Sequence, residues 1–204
     1  EAGYGDAVEH LLRVAAGLDS MVLGEPEILG QVRQAWDLAR EAGSTGAFFN
    51  EVFQRCFRVA KRVRTETGIG AGSVSLASAA HQTLVAELGT LTGKHAVLLG
   101  TGEIAAQMVK YLSSAGLARL SVVSRTVARA EEFAAQYGAE PVHIGGLGRN
   151  LGEADALVTA TACPTPLVTR DTAPDISRRV AMVDLAHPRN IAADVGDLPG
   201  VSLH

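Results

Sequence analysis

Gly100-Thr101-Gly102-Glu103-Ile104-Ala105 is the stretch that leaves the fewest folds open. It follows Lys94-His95-Ala96-Val97-Leu98-Leu99, an apolar run that reads as a buried strand, and leads into a helix of Ala, Met, Val and Leu. A strand, a glycine turn spaced G-x-G-x-x-A and a helix together form the dinucleotide-binding fingerprint, whose third small position accepts alanine. The glycines let backbone approach a pyrophosphate, and the helix N-terminus adds N–H donors and positive potential. A tight turn in a ligand-free α/β domain is the alternative. A second strand, Leu120–Val123, runs into Ser124-Arg125-Thr126, where an NAD enzyme would carry an acid for the ribose. An arginine between two hydroxyls suits a 2′-phosphate through charge-assisted hydrogen bonds, which favours NADPH. An ordinary surface cation is the bland reading of Arg125.

The chain beyond continues to alternate. Residues 126–137 read as a helix, 140–144 as a strand, 145–152 as a loop and 154–161 as a strand. Residues 180–185 and 201–203 read as two more strands. The expectation is an α/β fold: a Rossmann-like, doubly wound parallel sheet preceded by a mainly helical segment. Gly68–Gly72 breaks the pattern, which divides the chain into residues 1–72 and 73–204, the second part opening on a helix over 73–91 capped by Ser73 or Ser75. Strand C-termini should line the cofactor crevice, and Ala162-Cys163-Pro164 and Ala186-His187-Pro188-Arg189-Asn190 lie at two of them.

The first part reads as helices. One opens at His10 and closes near Gly17; a second follows Pro26, which suits a first turn. After a turn at 41–46, residues 48–67 form a third. Between the first two lies Asp19-Ser20-Met21-Val22-Leu23-Gly24-Glu25-Pro26-Glu27, with Gln31 close behind. Such a mixture suits either a capped loop or the pocket of a small polar ligand. On the third helix, Phe49, Val52, Phe53, Cys56, Phe57, Ala60 and Val63 form an apolar stripe, within which Cys56 reads as a small buried hydrophobe. Arg55, Arg58, Lys61, Arg62 and Arg64 follow one another with no acid between. They form either a solvated face or a contact for nucleic-acid phosphates.

A net charge of −4 argues against a generally basic nucleic-acid binder. No run of apolar residues is long enough to span a bilayer. Two distant cysteines make neither a disulfide framework nor a metal pattern, so no metal is expected and a reducing, cytoplasmic setting is.

The stretch HLLRVAAGLDSMVLGEPEILGQV, with FQRCFRVAKRVRTETGIGAGSVS after it, resembles the glutamyl-tRNA reductase family, and the likeness runs from about His10 to the end of the chain. The resemblance implies NADPH-dependent reduction of glutamyl-tRNA to glutamate 1-semialdehyde, with release of tRNA, at the first step of tetrapyrrole (heme) synthesis. It implies a catalytic role for His10 and a glutamate site lined by Ser20, Glu25, Pro26, Glu27 and Gln31. A glutamate carboxylate there could take the substrate's ammonium group. It also implies the rear of a catalytic domain in residues 1–72, a homodimer in the full-length enzyme, and the aminotransferase that takes up the semialdehyde as a partner. The family's nucleophilic cysteine sits in a Thr-Cys-Asn-Arg type segment that these 204 residues do not contain. The family usually has Val and Asp where this chain has His187 and Asn190. Two rivals remain. A non-catalytic NADP-binding module would start natively near Glu1. A shikimate-dehydrogenase-like reductase would need a lysine–aspartate pair that the first 70 residues do not offer.

Overall fold

Helix α1, Tyr4–Ala16, begins six residues before the expected start at His10. The cause is local: the Gly3 N–H donates to the Asp6 carboxylate at 2.9 Å, and an acid in the first turn also complements the helix dipole. These first turns are solvent-exposed, so the apolar period that marks a helix does not reach back to Tyr4. His10 therefore stands in mid-helix. The computed structural model describes residues 3–20, 23–25, 27–70, 75–173, 176 and 178–204, which divide into two units meeting between Ser75 and Leu76.

The first unit is helical: α1, then α2 (Glu27–Glu41) and α3 (Ala47–Glu66), closed by a 3-10 turn at Gly68–Gly70. Ala15, Cys56 and Ala60 are buried where α1 meets α3, with Leu11, Leu12, Leu29 and Val32 packed around them. The Trp36 indole N–H donates to the Asn50 side chain at 3.0 Å, and its ring meets Phe57 edge-on. Helix α1 ends in a left-handed Gly17, with N–H groups of Gly17 and Leu18 returned to the carbonyls of Val14 and Arg13. Gly24, also left-handed, donates to the Gly17 carbonyl at 2.9 Å. A Cβ on Gly24 would stand 2.1 Å from the Ile69 carbonyl oxygen, so backbone lies directly on backbone here.

The second unit opens with α4 (Leu76–Leu88), later and shorter than the expected 73–91; the proposed cap Ser73 and the rest of 71–74 lie outside the described residues. Then follow β1 (His95–Leu99), α5 (Glu103–Ser113), β2 (Arg119–Ser124), α6 (Val127–Tyr137) and β3 (Glu140–His143). Helix α7 (Leu147–Glu153), β4 (Ala156–Thr159), β5 (Val180–Asp184) and β6 (Val201–Leu203) complete the order. The six strands are all parallel and lie in the order β3-β2-β1-β4-β5-β6. The order reverses beside β1, and in such sheets ligands bind at that switch point, outside the strand C-termini.

Every residue of β1 is buried, as a central parallel strand with both faces covered should be. On one face Val97, Leu99, Leu157 and Met182 pack with Leu147 and Leu151 of α7. Helices α4, α5 and α6 supply the other cover, through buried residues such as Leu84, Met108, Leu112 and Ala130. Helix α7 is a correction to the expected loop at 145–152: at 7 residues, two of them glycines, it is too short for a periodic signal. The connection from β4 to β5 is irregular among its described residues and pairs with the segment after β5 through an isolated Val168–Ile191 bridge.

Candidate functional site

A crevice of about 250 Å³ opens at the C-terminal ends of β1 and β2. Gly100, Thr101 and Gly102 form one wall, Ser124, Arg125, Thr126 and Arg129 a second, and Ala160, Thr161 and Ala162 a third. Gly100 has φ +128°, and a Cβ there would sit 2.3 Å from the Ala160 carbonyl oxygen. Glycine is needed at this position for the protein's own packing, because the β1 and β4 exits touch there. At Gly102 the situation is reversed. Its φ of −85° suits any residue, and a Cβ would meet nothing within 4 Å. The missing side chain leaves open a cradle in front of the α5 N-terminus, where unpaired N–H groups and the helix dipole favour an anion. Glu103, Ile104 and the fully buried Ala105 form the first turn of α5 rather than the lining, and Ala105 brings that turn close against the sheet.

Arg125 and Arg129 are both solvent-exposed and converge on the crevice from the start of α6. The Ser124 hydroxyl accepts the Thr126 N–H at 3.3 Å, which shapes the turn presenting Arg125. Arg129 escaped the sequence reading, although its spacing of four from Arg125 at a helix start was a usable signal.

The third wall is set by a buried polar network that sequence patterning did not reveal. The Asp184 carboxylate at the end of β5 accepts the Thr159 hydroxyl at 2.6 Å and the N–H groups of Ala186, Asn190 and Ile191 at 3.1, 2.8 and 2.9 Å. The fully buried Asn190 accepts from the Thr161 N–H (3.2 Å) and hydroxyl (2.5 Å), and its amide donates to the Cys163 carbonyl at 3.4 Å. An aspartate at 190 could accept from Thr161 but not donate to Cys163. The amide at position 190 thus has a local function. Hydrogen bonds from Thr165 hold the Cys163 thiol below its ordinary pKa, with Arg125 adding to the effect.

In the first unit, the Gly17–Gly24 contact brings together two of the expected site residues. The Ser20 hydroxyl donates to the Gly17 carbonyl at 3.0 Å, while the backbone of Glu25 lies against Gly17. Arg64 of α3 donates to the Glu25 carbonyl at 2.6 Å, tying this loop to the third helix. Glu25 itself is buried; burial pushes its carboxyl pKa up, and the nearby charge of Glu27 pushes it further. Glu27 and the exposed Gln31 stand on the first turns of α2, and Pro26 lies outside the described residues. His10 is exposed, its Nδ1 3.7 Å from the Asp19 carboxylate, which in turn is held by Arg13 at 2.8 Å. Cys56 is buried, its thiol 3.7 Å from the Leu11 carbonyl, and burial raises its pKa. Among the described residues there is no group of His, Cys, Asp and Glu arranged to hold a metal ion, and no helix is long and apolar enough to cross a membrane.

The sheet order and the glycine-walled crevice make the second unit a Rossmann-type dinucleotide-binding domain, and residues 69–204 match the family model of shikimate / quinate 5-dehydrogenase. Residues 3–67 match the model of the glutamyl-tRNAGlu reductase N-terminal domain. Across both units the chain is similar to glutamyl-tRNA reductases. It is 43% identical to the glutamyl-tRNA reductase of Xanthomonas campestris pv. phaseoli, over 98% of this chain and 48% of the relative. For the Thermus thermophilus glutamyl-tRNA reductase the figures are 42%, 98% and 51%. The solved glutamyl-tRNA reductase of Methanopyrus kandleri aligns with a TM-score of 0.60 and 37% identity, over 97% of this chain and 51% of that one. A solved dipicolinate synthase from Bacillus halodurans, with TM-score 0.55 and 18% identity over 78% of this chain and 55% of that one, shares the fold alone. The chain spans about half the length of the curated relatives it matches. A shikimate-dehydrogenase-like reductase accounts for the second unit only.

Proposed function

We propose that the chain is the glutamate-recognition and NADPH-binding part of a glutamyl-tRNA reductase. The reaction is reduction of glutamyl-tRNA to glutamate 1-semialdehyde with release of tRNA. The observation that carries this reading is the crevice itself, which gathers the glycine turn, Arg125 and Arg129 in a chain similar to that family. Backbone at Gly100–Gly102 and the α5 N-terminus would hold a pyrophosphate. Arg125, Thr126 and Arg129 would hold a 2′-phosphate, two guanidiniums matching one phosphate dianion. When bound, the reduced nicotinamide supplies a hydride.

In the first unit, Glu25 suits the ammonium group of the glutamyl moiety. A buried carboxyl whose pKa is raised gains a partner for its charged form when a cation arrives, so ammonium binding and Glu25 ionisation support each other. Ser20 and Gln31 are the candidates for the moiety's carboxylate end, with Pro26 and Glu27 framing the loop. His10, exposed and with its Nδ1 3.7 Å from the Asp19 carboxylate, would move a proton at the leaving tRNA hydroxyl. The attacking thiol is assigned to neither of this chain's own cysteines: Cys56 is buried with a raised pKa, and Cys163 does not stand in the Thr-Cys-Asn-Arg type segment that carries the family's nucleophile.

Titration of the chain with NADPH and NADH tests the cofactor half. NADPH is expected to bind at least tenfold more tightly, the contribution of about one charge-assisted hydrogen bond, and equal affinities would remove the 2′-phosphate assignment. Mixed with glutamyl-tRNA and NADPH, the chain alone is expected to leave the nicotinamide absorbance unchanged. Oxidation in that mixture would refute the assignment of the chemistry to a thiol other than Cys56 and Cys163.

A further inference from the structure

We infer that the outer face of α3 is a docking surface for an RNA phosphate backbone, engaged through Arg55, Arg58 and Arg62. The inference rests on the reading of glutamyl-tRNA as substrate and adds where the RNA is gripped.

At about 100° per residue, these three arginines fall within about 60° of one another around the helix. They lie roughly opposite the mean direction of Cys56, Phe57 and Ala60, which are the buried residues of α3. The same arithmetic turns Arg64 toward the buried side, where its guanidinium meets the Glu25 carbonyl. The five cations of the sequence therefore separate: Arg64 ties the helix to a loop, Arg55, Arg58 and Arg62 form a row that does nothing for the core, and the exposed Lys61 stands to one side of that row. The three side chains are 72%, 64% and 72% exposed.

Two acids frame the row. Arg55 bonds to Glu51 at 2.7 Å and Arg62 to Glu66 at 3.0 Å, both four residues apart, while Arg58 lies 3.8 Å from Glu51. Exposed pairs of this kind contribute little to stability, so a phosphate oxygen can replace a carboxylate at small cost. They also hold the guanidiniums extended along the helix. Arginine rather than lysine fits this use, because its planar fork meets two phosphate oxygens at once. From Arg55 to Arg62 the row covers about 10 Å of helix axis, enough for consecutive phosphates of one strand. The chain carries net charge −4, so a local cationic row is also the part of it that would orient an approaching polyanion.

The test uses the 204-residue chain and a fluorescently end-labelled, unacylated glutamate tRNA, with anisotropy measured at several salt concentrations. For R58Q/R62Q the slope of log affinity against log salt is expected to fall by about two, one for each phosphate contact removed. Affinity in moderate salt is expected to fall at least tenfold. R170Q, which removes one exposed positive charge from the second unit, is the control and should leave the slope unchanged. An unchanged slope in R58Q/R62Q, an equal change in R170Q, or no tRNA binding by the unmutated chain would each overturn the proposal. So would displacement of the tRNA by a polyglutamate peptide as readily as by unlabelled RNA, which would assign the row to an acidic protein. Circular dichroism of R58Q/R62Q should be unchanged, and NADPH titration of the same samples reports separately on the cofactor reading. If tRNA binds normally to R58Q/R62Q, this surface is wrong and the substrate reading survives.

Discussion

Gly100 and Gly102 are two residues apart in one turn, yet alanine at each should fail in opposite ways. At Gly100 an added Cβ would stand 2.3 Å from the Ala160 carbonyl oxygen, on a backbone whose φ is +128°. Such a conformation costs about 1–3 kcal/mol for a residue other than glycine, and the contact forces the β1 and β4 exits apart. A total loss of about 3–5 kcal/mol corresponds to a fall in Tm of roughly 6–20 °C for a chain of this size. At Gly102 the backbone is extended and the Cβ would enter open space, so the fold should change by less than about 1 kcal/mol. The methyl group would, however, occupy the cradle in front of α5. NADPH affinity should drop at least tenfold, since a pyrophosphate held by backbone N–H groups loses its close approach. Thermal melts and NADPH titrations of Gly100→Ala and Gly102→Ala separate the two effects. A Gly102→Ala chain that binds NADPH as well as the unmutated protein would refute the account of the crevice. A Gly100→Ala chain that melts normally would refute the packing argument.

Replacing both Arg125 and Arg129 with alanine should weaken NADPH binding about 100-fold while leaving NADH within a factor of about three, since each lost charge-assisted bond is worth about 1.5–3 kcal/mol; equal losses for both nucleotides would show that the arginines act elsewhere. Asn190→Leu should strip Thr161 of its acceptor, cost about 1–3 kcal/mol and weaken nucleotide binding, whereas Asn190→Asp, which keeps the acceptor, should weaken it less; similar affinities in both variants would count against the network as the support of the third wall. Burial lowers the pKa of His95, whose Nε2 is 2.9 Å from the Ser121 hydroxyl. The folded state therefore binds that proton less readily than the unfolded one, and its contribution is complete above pH 6.5 and is lost as pH falls below it. His95→Gln should flatten the fall of Tm in that acid window, and an unchanged slope would place the titration elsewhere. For Glu25 the sign is opposite: its raised pKa favours the folded state at lower pH, so Glu25→Gln should raise the stability of the first unit at neutral pH, read by denaturant melts.

Local chemistry made the second unit legible from the amino acids alone. Apolar runs of strand length, a glycine turn and a following helix repeat a pattern that few folds can bury. The turn at Gly100–Gly102 and the arginine at 125 stand in that pattern at positions determined by chain spacing. The same applies to α2 and α3, whose long amphipathic periods leave little choice of buried face. What spacing does not carry is contact between residues distant in sequence. Asn190 and Thr161 are 29 residues apart and Arg64 and Glu25 are 39 apart; only folding makes them neighbours. Arg55, Arg58, Lys61, Arg62 and Arg64 look alike in sequence, yet helix rotation and a docking loop send Arg64 inward, leave Arg55, Arg58 and Arg62 in a row outside and set the exposed Lys61 to one side of it. The two glycines differ for the same reason, because whether a Cβ meets a carbonyl or open space depends on which strand returns beside it. Periodicity and turn chemistry, which act over a few residues, were enough to determine the fold class and most elements, but not the short α7 or the exposed first turns of α1. The walls of the crevice, the burial of Glu25 and the separation of structural from exposed cations were decided by tertiary packing, since each depends on atoms brought together from different elements.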